Sequence, residues 1–174
     1  MLKLNAGCGL YFLDGYINFD ILNQVVGNKK TDVIGDLRNI KNFFPCNYFS
    51  EILCVHTIEH FVVPEVKIIL NQFASLLVSG GKLIIESPDI RMFYEGYKVG
   101  KYNLQELIFY VYGGDKMESL YGDGSYHRSG WTGELMAKAV SEEGLEVIKI
   151  CEGTFHGIPE RDFRVEALKG DNGK

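Results

Sequence analysis

Short apolar runs recur along the chain between turn residues, and they are typical of buried strands. Two of them, EILCV (51 to 55) and KLIIES (82 to 87), are rich in Ile, Leu and Val, as strands covered on both faces require. Three shorter runs precede them: LKLNA (2 to 6), YINFD (16 to 20) and TDVIGD (31 to 36). We expect all five to lie in one sheet.

Apolar residues at helical spacing separate these runs. The main stripe predicts a helix that begins at Pro64 and ends at Ser79-Gly80-Gly81. Its members are Val66, Ile69, Leu70, Phe73, Leu76 and Leu77. A second helix is predicted over 103 to 111, and a third begins near Thr132 and ends at Gly144. The inward face of the third helix comprises Leu135, Met136, Ala139 and Val140.

Two further runs close the chain and read as an antiparallel pair. They are LEVIKI (145 to 150) and DFRVEAL (162 to 168), joined by a turn that contains Gly157 and Pro159. Strand and helix alternate before them, so the predicted fold class is α/β: a Rossmann-like, mostly parallel sheet with a C-terminal antiparallel hairpin. A length of 174 residues fits a single domain over 1–174.

Composition narrows the environment and the partners. The chain is 46% hydrophobic and 24% charged with a formal charge of −5, which predicts no nucleic-acid partner. No apolar run reaches the ~20 residues that span a bilayer, so no membrane association is expected. Four cysteines without a C-x-x-C pair, and an N-terminus unlike a signal peptide, favour a cytoplasmic protein. The sequence leaves the oligomeric state open.

Residues 54 to 60, CVHTIEH, contain a zinc-peptidase pattern in His56, Glu59 and His60. In a peptidase the two histidines lie one turn apart within a helix, where they bind the same zinc ion. Here the motif follows a predicted buried strand and ends four residues before Pro64, which begins the next helix. We therefore expect a strand exit and no metal.

Ligands of parallel α/β sheets bind at the carboxyl ends of the strands, which directs attention to the end of the first strand. LKLNAGCG ends in a glycine turn at Gly7-Cys8-Gly9, where a ligand can approach the backbone closely. The next strand ends in Asp20, a carboxylate able to accept hydrogen bonds from ribose hydroxyls. A G-x-G alone is also consistent with an ordinary tight turn.

Taken in order, the motifs resemble the small stand-alone class I S-adenosylmethionine-dependent methyltransferases over residues 1 to 90. They are N-A-G-C-G, G-Y-I-N-F-D, G-D-L, S-E-I-L-C-V-H-T-I-E-H-F and S-G-G-K-L-I-I-E-S-P-D. Further along, H-R-S-G-W-T and E-E-G-L-E-V are similar to the family's late helix and sixth strand. The resemblance implies S-adenosylmethionine as cofactor and S-adenosylhomocysteine as product.

The resemblance also implies roles for individual residues. Cofactor contacts are expected from Asn5, Ala6, Gly7, Cys8, Gly9, Asp20, Asp36, Leu37 and His56. Within this set the glycine loop contacts the methionine part, Asp20 holds the ribose, and Asp36 and Leu37 flank the adenine. His56 faces the methyl group or the acceptor.

One departure from the family pattern concerns the first connection. Gly9 and Asp20 are eleven positions apart, so residues 10 to 15 cannot house the usual helix, and we expect it to be shortened or absent. This spacing makes the ribose role of Asp20 less secure. An aromatic side chain, Tyr11 or Phe12, is an alternative cover for the cofactor.

Aromatic residues between 93 and 131 suggest the acceptor side. We interpret residues 91–131 as an aromatic lid or insertion with joints at Gly113-Gly114 and Gly122-Asp123-Gly124. The aromatic members are Phe93, Tyr94, Tyr97, Tyr102, Phe109, Tyr110, Tyr112, Tyr121, Tyr126 and Trp131. His56 and His127 are the candidate catalytic residues, as bases toward a hydroxyl acceptor.

The predicted function is therefore methyl transfer to an oxygen of a small metabolite or sugar-like molecule. CVHTIEH lacks the Asn or Asp and prolines of the base-methylating enzymes, which argues against a nucleobase. Two alternatives stay open: a catalytically silent cofactor-binding or scaffold domain, and a nicotinamide-dependent reductase. GCG disfavours the reductase, because it lacks the third glycine of G-x-G-x-x-G.

Overall fold

A seven-stranded sheet organises the chain. The computed structural model describes residues 1–113, 125–155 and 161–171. The strands are β1 (Leu2–Ala6), β2 (Ile17–Asp20), β3 (Val25–Val26), β4 (Lys29–Lys30), β5 (Val33–Ile34), β6 (Phe49–Val55), β7 (Leu77–Pro88), β8 (Leu145–Glu152) and β9 (Asp162–Lys169). The main sheet has the order β5-β2-β1-β6-β7-β9-β8, and β3 and β4 form a separate two-stranded ribbon. This mostly parallel α/β sheet confirms the predicted fold class.

Within the ranges that the structure describes, four α-helices accompany the sheet. They are α1 (Val63–Leu76), α2 (Ile90–Lys98), α3 (Leu104–Tyr112) and α4 (Gly133–Glu142). Short 3-10 segments occupy Leu37–Asn42, which is kinked at Asn39, and Ile58–His60. Among the described residues, no helix has both the length and the apolar character to cross a membrane.

The apolar stripe of α1 becomes the centre of the core. Val66, Ile69, Leu70, Phe73 and Leu76 are fully buried against the central strands. Strands β1, β6 and β7 lie side by side and parallel, and their inward residues form the other wall of this core. The parallel strands consequently end at one edge of the sheet, where a ligand site is expected.

Strand β9 inserts between β7 and β8 and runs antiparallel to both, which confirms the C-terminal hairpin. The predicted turn residues Gly157 and Pro159 lie outside the described residues. The chain from Ala6 to Ile17 contains turns and no helix, as the short spacing to Asp20 predicted. Asp20 therefore lies directly beside the glycine loop rather than across a helix.

Two predicted elements had the wrong bounds, and one helix was missed. Helix α1 ends at Leu76, and Ser79, Gly80 and Gly81 belong to β7. The reason is a tertiary cap: the backbone N–H groups of Asn47 and Tyr48 donate to the last carbonyls of the helix at 3.0 and 2.7 Å. In TDVIGD only two residues form a strand, and helix α2 was not predicted.

A partly buried ion cluster between β7 and β9 makes stability depend on pH. Lys82 Nζ and Arg164 Nε lie 2.6 and 2.7 Å from the carboxylate of Glu166. The hydrogen bond from Lys82 and that from Arg164 outweigh the effect of burial and lower the pKa of Glu166 to about 2.

Stability should therefore fall as the pH drops from about 4.5 toward 2. A carboxyl group with a lowered folded-state pKa stabilises above its unfolded pKa of ~4.3 and loses that contribution as it is protonated, here about 3 kcal/mol. Urea unfolding across this range tests the expectation. Glu166→Gln should flatten the dependence, whereas Glu142→Gln, at an exposed pair with Lys67, should leave it intact. Parallel curves for all three proteins would contradict the assignment.

Candidate active site

A cleft of about 1240 Å³ opens at the carboxyl ends of the parallel strands. Its described lining contains backbone and side chains from the glycine loop, from the ends of β2, β6 and β7, and from α2 and α3. The predicted site residues in this lining are Asn5, Gly7, Cys8, Gly9, Asp20, His56 and His127. One cleft thus brings together the predicted cofactor and acceptor residues.

The glycine loop is built by close backbone contacts. Gly7 and Gly9 have φ angles of +73° and +52°, a region where a side chain is strained. The N–H groups of Gly7 and Cys8 both donate to Phe19 O, at 2.9 and 3.0 Å. A Cβ at Gly7 would lie 2.3 Å from the side chain of Thr57, whose hydroxyl donates to Gly7 O. Glycine is therefore required at this position.

Asp20 joins the glycine loop to the second strand. Its Oδ2 accepts a hydrogen bond from Gly9 N at 2.8 Å and its Oδ1 accepts one from Leu22 N at 3.0 Å. The residue is only 6% exposed but contributes to the cleft lining. A carboxylate has about four acceptor positions, so two backbone bonds leave capacity for ligand hydroxyls.

Asn5 and Ala6 support the loop from below. Asn5 Nδ2 donates to Tyr11 O at 2.8 Å and to Asn18 Oδ1 at 3.0 Å, which holds the short connection against the sheet. Ala6 is fully buried in the core and is not part of the cleft lining. Burial raises the pKa of the Cys8 thiol to about 12, with the charge of Asp20 adding to the effect, so this thiol is neutral at physiological pH.

Asp36 and Leu37 lie away from the cleft surface. Leu37 is buried in the core, and Asp36 binds Arg38 through both carboxylate oxygens. The hydrogen bond from Arg38 is the main reason why the pKa of Asp36 is lowered. Arg38 itself lines the cleft, a placement that the sequence did not predict.

His56 occupies a strained position at the exit of β6. Its φ is +47°, which is uncommon for a residue with a side chain. Nε2 lies 2.9 Å from Asp162 Oδ2 and Nδ1 lies 3.4 Å from Glu59 Oε1. Burial alone would lower the pKa of His56, but the hydrogen bond to Asp162 and the charges of Glu59 and Asp162 together raise it. Both ring nitrogens thus face carboxylates.

His127 has the opposite character. Burial lowers its pKa, and the charge of Glu59 offsets the effect only in part. Nδ1 lies 3.3 Å from Val111 O, so this nitrogen donates to the carbonyl and the other keeps its lone pair. A neutral imidazole with an acceptor nitrogen therefore lines the cleft.

Aromatic side chains form one wall of the cleft. Phe93 and Tyr110 are stacked with centroids 4.8 Å apart, and Phe109 packs against Tyr110 at 5.8 Å. Trp131, which the sequence placed in the lid, is instead buried in the main core. The predicted joints Gly114 and Gly122 to Gly124, Tyr121, and the fourth histidine, His156, lie outside the described residues.

The C-terminal hairpin supplies site residues that sequence reasoning missed. Arg161 lines the cleft and binds Asp162 through Nε and NH2, at 2.9 and 2.8 Å. Phe155 packs edge-on against Tyr11 with centroids 5.7 Å apart. The sequence offered one signal, the oppositely charged neighbours Arg161 and Asp162 at the start of a predicted strand. Nothing in the local sequence showed that this strand, β9, inserts next to β7.

Comparison with known proteins gives the fold. No protein-family model matches the sequence, and no curated relative does. A S-adenosylmethionine-dependent methyltransferase from Archaeoglobus fulgidus is similar in structure at 17% identity, with 96% of this chain and 85% of that chain covered and a TM-score of 0.62. One from Methanosarcina mazei has 14% identity, 97% and 92% coverage and a TM-score of 0.63.

A third similar chain belongs to a Haloferax volcanii complex of the Trm112 methyltransferase activator with a methyltransferase. It has 11% identity, 99% and 83% coverage and a TM-score of 0.62. These likenesses show that the chain has the fold of the S-adenosylmethionine-dependent methyltransferases. The resemblance seen in the sequence motifs is thereby confirmed at the level of the fold.

Proposed function

We propose that this chain, which has the class I methyltransferase fold, transfers a methyl group from S-adenosylmethionine to a hydroxyl oxygen of a small, sugar-like molecule. One observation carries the proposal: the glycine loop with Asp20, and the histidine and carboxylate groups with an aromatic wall, line the same cleft. Cofactor and acceptor can thus meet in one enclosed space.

The cofactor half of the cleft lies along the ends of β1 and β2. The loop Gly7 to Gly9 would receive the methionine part, where no Cβ of either glycine obstructs the approach. Asp20 would accept hydrogen bonds from the ribose hydroxyls with its remaining lone pairs. Asn5 and Ala6 shape this half from behind. Asp36 and Leu37 stay the predicted adenine contacts, and Arg38, which lines the cleft beside them, would be a further residue available to the adenine end.

The acceptor half lies between the aromatic wall and the end of β6. Stacked rings at Phe93 and Tyr110 favour a flat or sugar-like face. Arg128 and Arg161 line the same half and offer donors to acceptor oxygens. We propose that the described parts of 91–131 cover this half and exclude water when an acceptor is bound.

In the transfer step the acceptor oxygen attacks the methyl carbon, and the carbon–sulfur bond breaks with its electron pair left on sulfur. The product is the thioether S-adenosylhomocysteine, and the hydroxyl proton passes to a neighbouring base and from there to solvent. Such a displacement depends mainly on alignment of the reacting atoms at ~3 Å in a dry site.

Of the two candidate histidines, the geometry favours His127 as the neighbour of the acceptor hydroxyl. Its neutral ring has a nitrogen lone pair directed away from the Val111 carbonyl. His56 has carboxylates at both nitrogens, so we assign it a positioning role at the strand exit. His127→Ala should therefore lower turnover by about 10²-fold or more while S-adenosylhomocysteine affinity stays unchanged.

Binding and turnover separate this function from its alternatives. We expect S-adenosylmethionine and S-adenosylhomocysteine to raise the melting temperature and NAD to leave it unchanged. A ligand at 100 times its Kd stabilises by ~2.7 kcal/mol, which a thermal shift detects readily. Binding without release of S-adenosylhomocysteine across a panel of hydroxylated acceptors would favour the silent-domain alternative.

Asp20→Ala should weaken S-adenosylhomocysteine binding by roughly 10 to 150-fold. Loss of charge-assisted hydrogen bonds to the ribose costs about 1.5–3 kcal/mol, and the Gly9 N–H loses its acceptor as well. Calorimetry provides the measurement. Asp14→Ala is the matched control, because Asp14 lies on the same connection at an exposed pair with Lys29. Equal affinity for both variants would show that the ribose binds elsewhere.

The environment and partners are part of the same proposal. All four cysteines are free, which supports a reducing compartment such as the cytoplasm. The Haloferax volcanii relative forms a complex with an activator protein, and helix α3 here has exposed Leu104, Ile108 and Tyr112. A small-molecule acceptor and a protein partner are thus compatible on this chain.

A further inference from the structure

Three side chains of the acceptor half come together from two distant segments. Glu59 and His60 follow β6, and His127 returns from beyond α3; all three line the cleft. One donor atom from each lies within 4.8 Å of the others. The rings of His60 and His127 are 5.2 Å apart at 70°, so they approach without stacking.

The backbone fixes both imidazoles in the same way. Nδ1 of His60 lies 3.2 Å from Tyr126 O, and Nδ1 of His127 lies 3.3 Å from Val111 O. A carbonyl only accepts hydrogen bonds, so Nδ1 carries the proton in each neutral ring and Nε2 carries the lone pair. Metal-binding histidines are oriented by this kind of hydrogen bond from the second nitrogen.

Glu59 provides an independent indication of a ligand site. The residue is 2% exposed, and its Oε2 accepts a hydrogen bond from Ser87 Oγ at 3.0 Å. Among the described residues its Oε1 has no hydrogen-bond partner, although His56 Nδ1 lies at ion-pair distance, 3.4 Å. Within the described residues, one other buried side-chain polar atom lacks a hydrogen-bond partner: Ser125 Oγ, whose residue lines the same cleft.

We propose that Glu59, His60 and His127 bind a divalent first-row transition-metal ion. Imidazole nitrogens suit Zn²⁺, Fe²⁺, Ni²⁺ or Cu²⁺, whereas Mg²⁺, Ca²⁺ and Mn²⁺ prefer oxygen ligands. Two histidines and one carboxylate leave coordination positions open for a further ligand. With ligand bonds of ~2.0–2.2 Å, donor atoms around one tetrahedral ion lie roughly 3.4 Å apart, so atoms as far apart as 4.8 Å must approach one another by about 1.4 Å when the ion binds.

This set differs from the peptidase pair suggested by H-x-x-E-H. His56 is held by Asp162 at 2.9 Å and takes no part, and His127 replaces it from 67 positions beyond His60. The proposal keeps the conclusion that H-x-x-E-H is not a peptidase zinc site. It changes the expectation, drawn from the same motif, that no metal binds here.

The proposed metal site does not depend on the proposed function, but the catalytic role given to the metal rests on that function. An ion with an open position toward the cleft would bind the acceptor oxygen and lower the pKa of its hydroxyl, as metal ions do for bound water. The proton then passes to solvent, and the oxygen attacks the methyl carbon as described. His127 thereby acts through the ion as a ligand.

Direct metal titration tests the site. Chelator-treated, dialysed protein is titrated with Co²⁺ by calorimetry, and the visible d–d absorption of the bound ion is recorded. We expect one ion per chain, with Mg²⁺ at least about 10-fold weaker. Glu59→Gln, His60→Ala and His127→Ala should each lower Co²⁺ affinity at least about 10 to 100-fold.

His56→Ala is the matched control: it removes the ion-pair neighbour of Glu59 Oε1 but no proposed ligand, so it should lower Co²⁺ affinity less than each of the three ligand variants does. Dependence on His56 with indifference to His127 would overturn the assignment in favour of the H-x-x-E-H pair. His127→Gln is tested as well, in case His127→Ala unfolds by circular dichroism. Wild-type protein that binds no Co²⁺ would also overturn the proposal. S-adenosylhomocysteine binding is measured in parallel on chelated protein, because its loss would count against the proposed function and not against the metal site.

Discussion

Gly7→Ala is expected to abolish S-adenosylhomocysteine binding and to lower the free energy of unfolding by about 2–5 kcal/mol. Two costs add at this position. An L-residue at a φ of +73° costs roughly 1–2 kcal/mol, and an added Cβ would lie 2.3 Å from Thr57, an overpacking that costs roughly 1–3 kcal/mol. Binding fails because relief of the clash must move the loop or the strand exit, and both line the cleft.

A control on the same chain separates the two costs. Gly27 has a φ of +63°, and nothing lies within 4 Å of its Cβ position. Gly27→Ala should therefore show the conformational cost alone, with cofactor affinity unchanged. The double variant Gly7→Ala with Thr57→Ala should recover only part of the steric cost, because the Cβ of residue 57 remains 2.8 Å from the added one. Equal effects of Gly7→Ala and Gly27→Ala in urea unfolding would show that the contact with Thr57 is unimportant.

Local pattern sufficed for the parts of the fold that local interactions determine. The stripe of α1 and the runs at β6 and β7 are strongly periodic or strongly apolar, and each produced its element. The glycine loop was predictable for a similar reason, since two glycines directly after a strand indicate a backbone that a side chain would obstruct. The short spacing between Gly9 and Asp20 also predicted that the usual helix between them is shortened or absent.

What local pattern could not supply is the arrangement of distant segments. Helix α1 ends at Leu76 because Asn47 and Tyr48, each 28 positions before the residue it caps, bind its last carbonyls, and no residue near Ser79 indicates this contact. Asp36 was predicted to contact the cofactor. In the structure it binds Arg38, and the arginine, not the carboxylate, lines the cleft. The functions of Asp36 and Leu37 toward adenine stay predictions.

The motif CVHTIEH shows the same limit at the candidate site. The sequence analysis treated His56, Glu59 and His60 as one local cluster. In the structure they lie next to two different distant segments. Asp162 from the C-terminal hairpin binds His56, and His127 approaches Glu59 and His60. Neither pairing has a sequence signature, because each depends on where a distant segment crosses the edge of the sheet.

Glu86→Ala is expected to destabilise the protein by about 3–5 kcal/mol. Glu86 is fully buried on β7, and Arg164 NH1 lies 2.6 Å from its Oε1. Removal of one partner leaves a largely buried charge with fewer bonds, and loss of such a partner typically has this cost. Glu166, at 2.7 Å from Arg164 Nε, compensates in part, which favours the lower half of the range.

The same substitution should also weaken S-adenosylhomocysteine binding. Glu86 Oε2 accepts hydrogen bonds from the N–H groups of Thr154 and Phe155, at 3.1 and 2.9 Å, and thereby holds Phe155 in the cleft wall against Tyr11. Glu86→Gln retains an acceptor oxygen of similar position, so it should cost less, about 1.5–3 kcal/mol, and preserve most of the affinity.

Glu95→Ala, at an exposed pair with Lys98, is the matched surface control and should change stability by less than about 0.5 kcal/mol. Denaturant unfolding and calorimetry on the three variants decide the matter: if Glu86→Ala unfolds like Glu95→Ala, the buried carboxylate does not anchor the hairpin to the sheet.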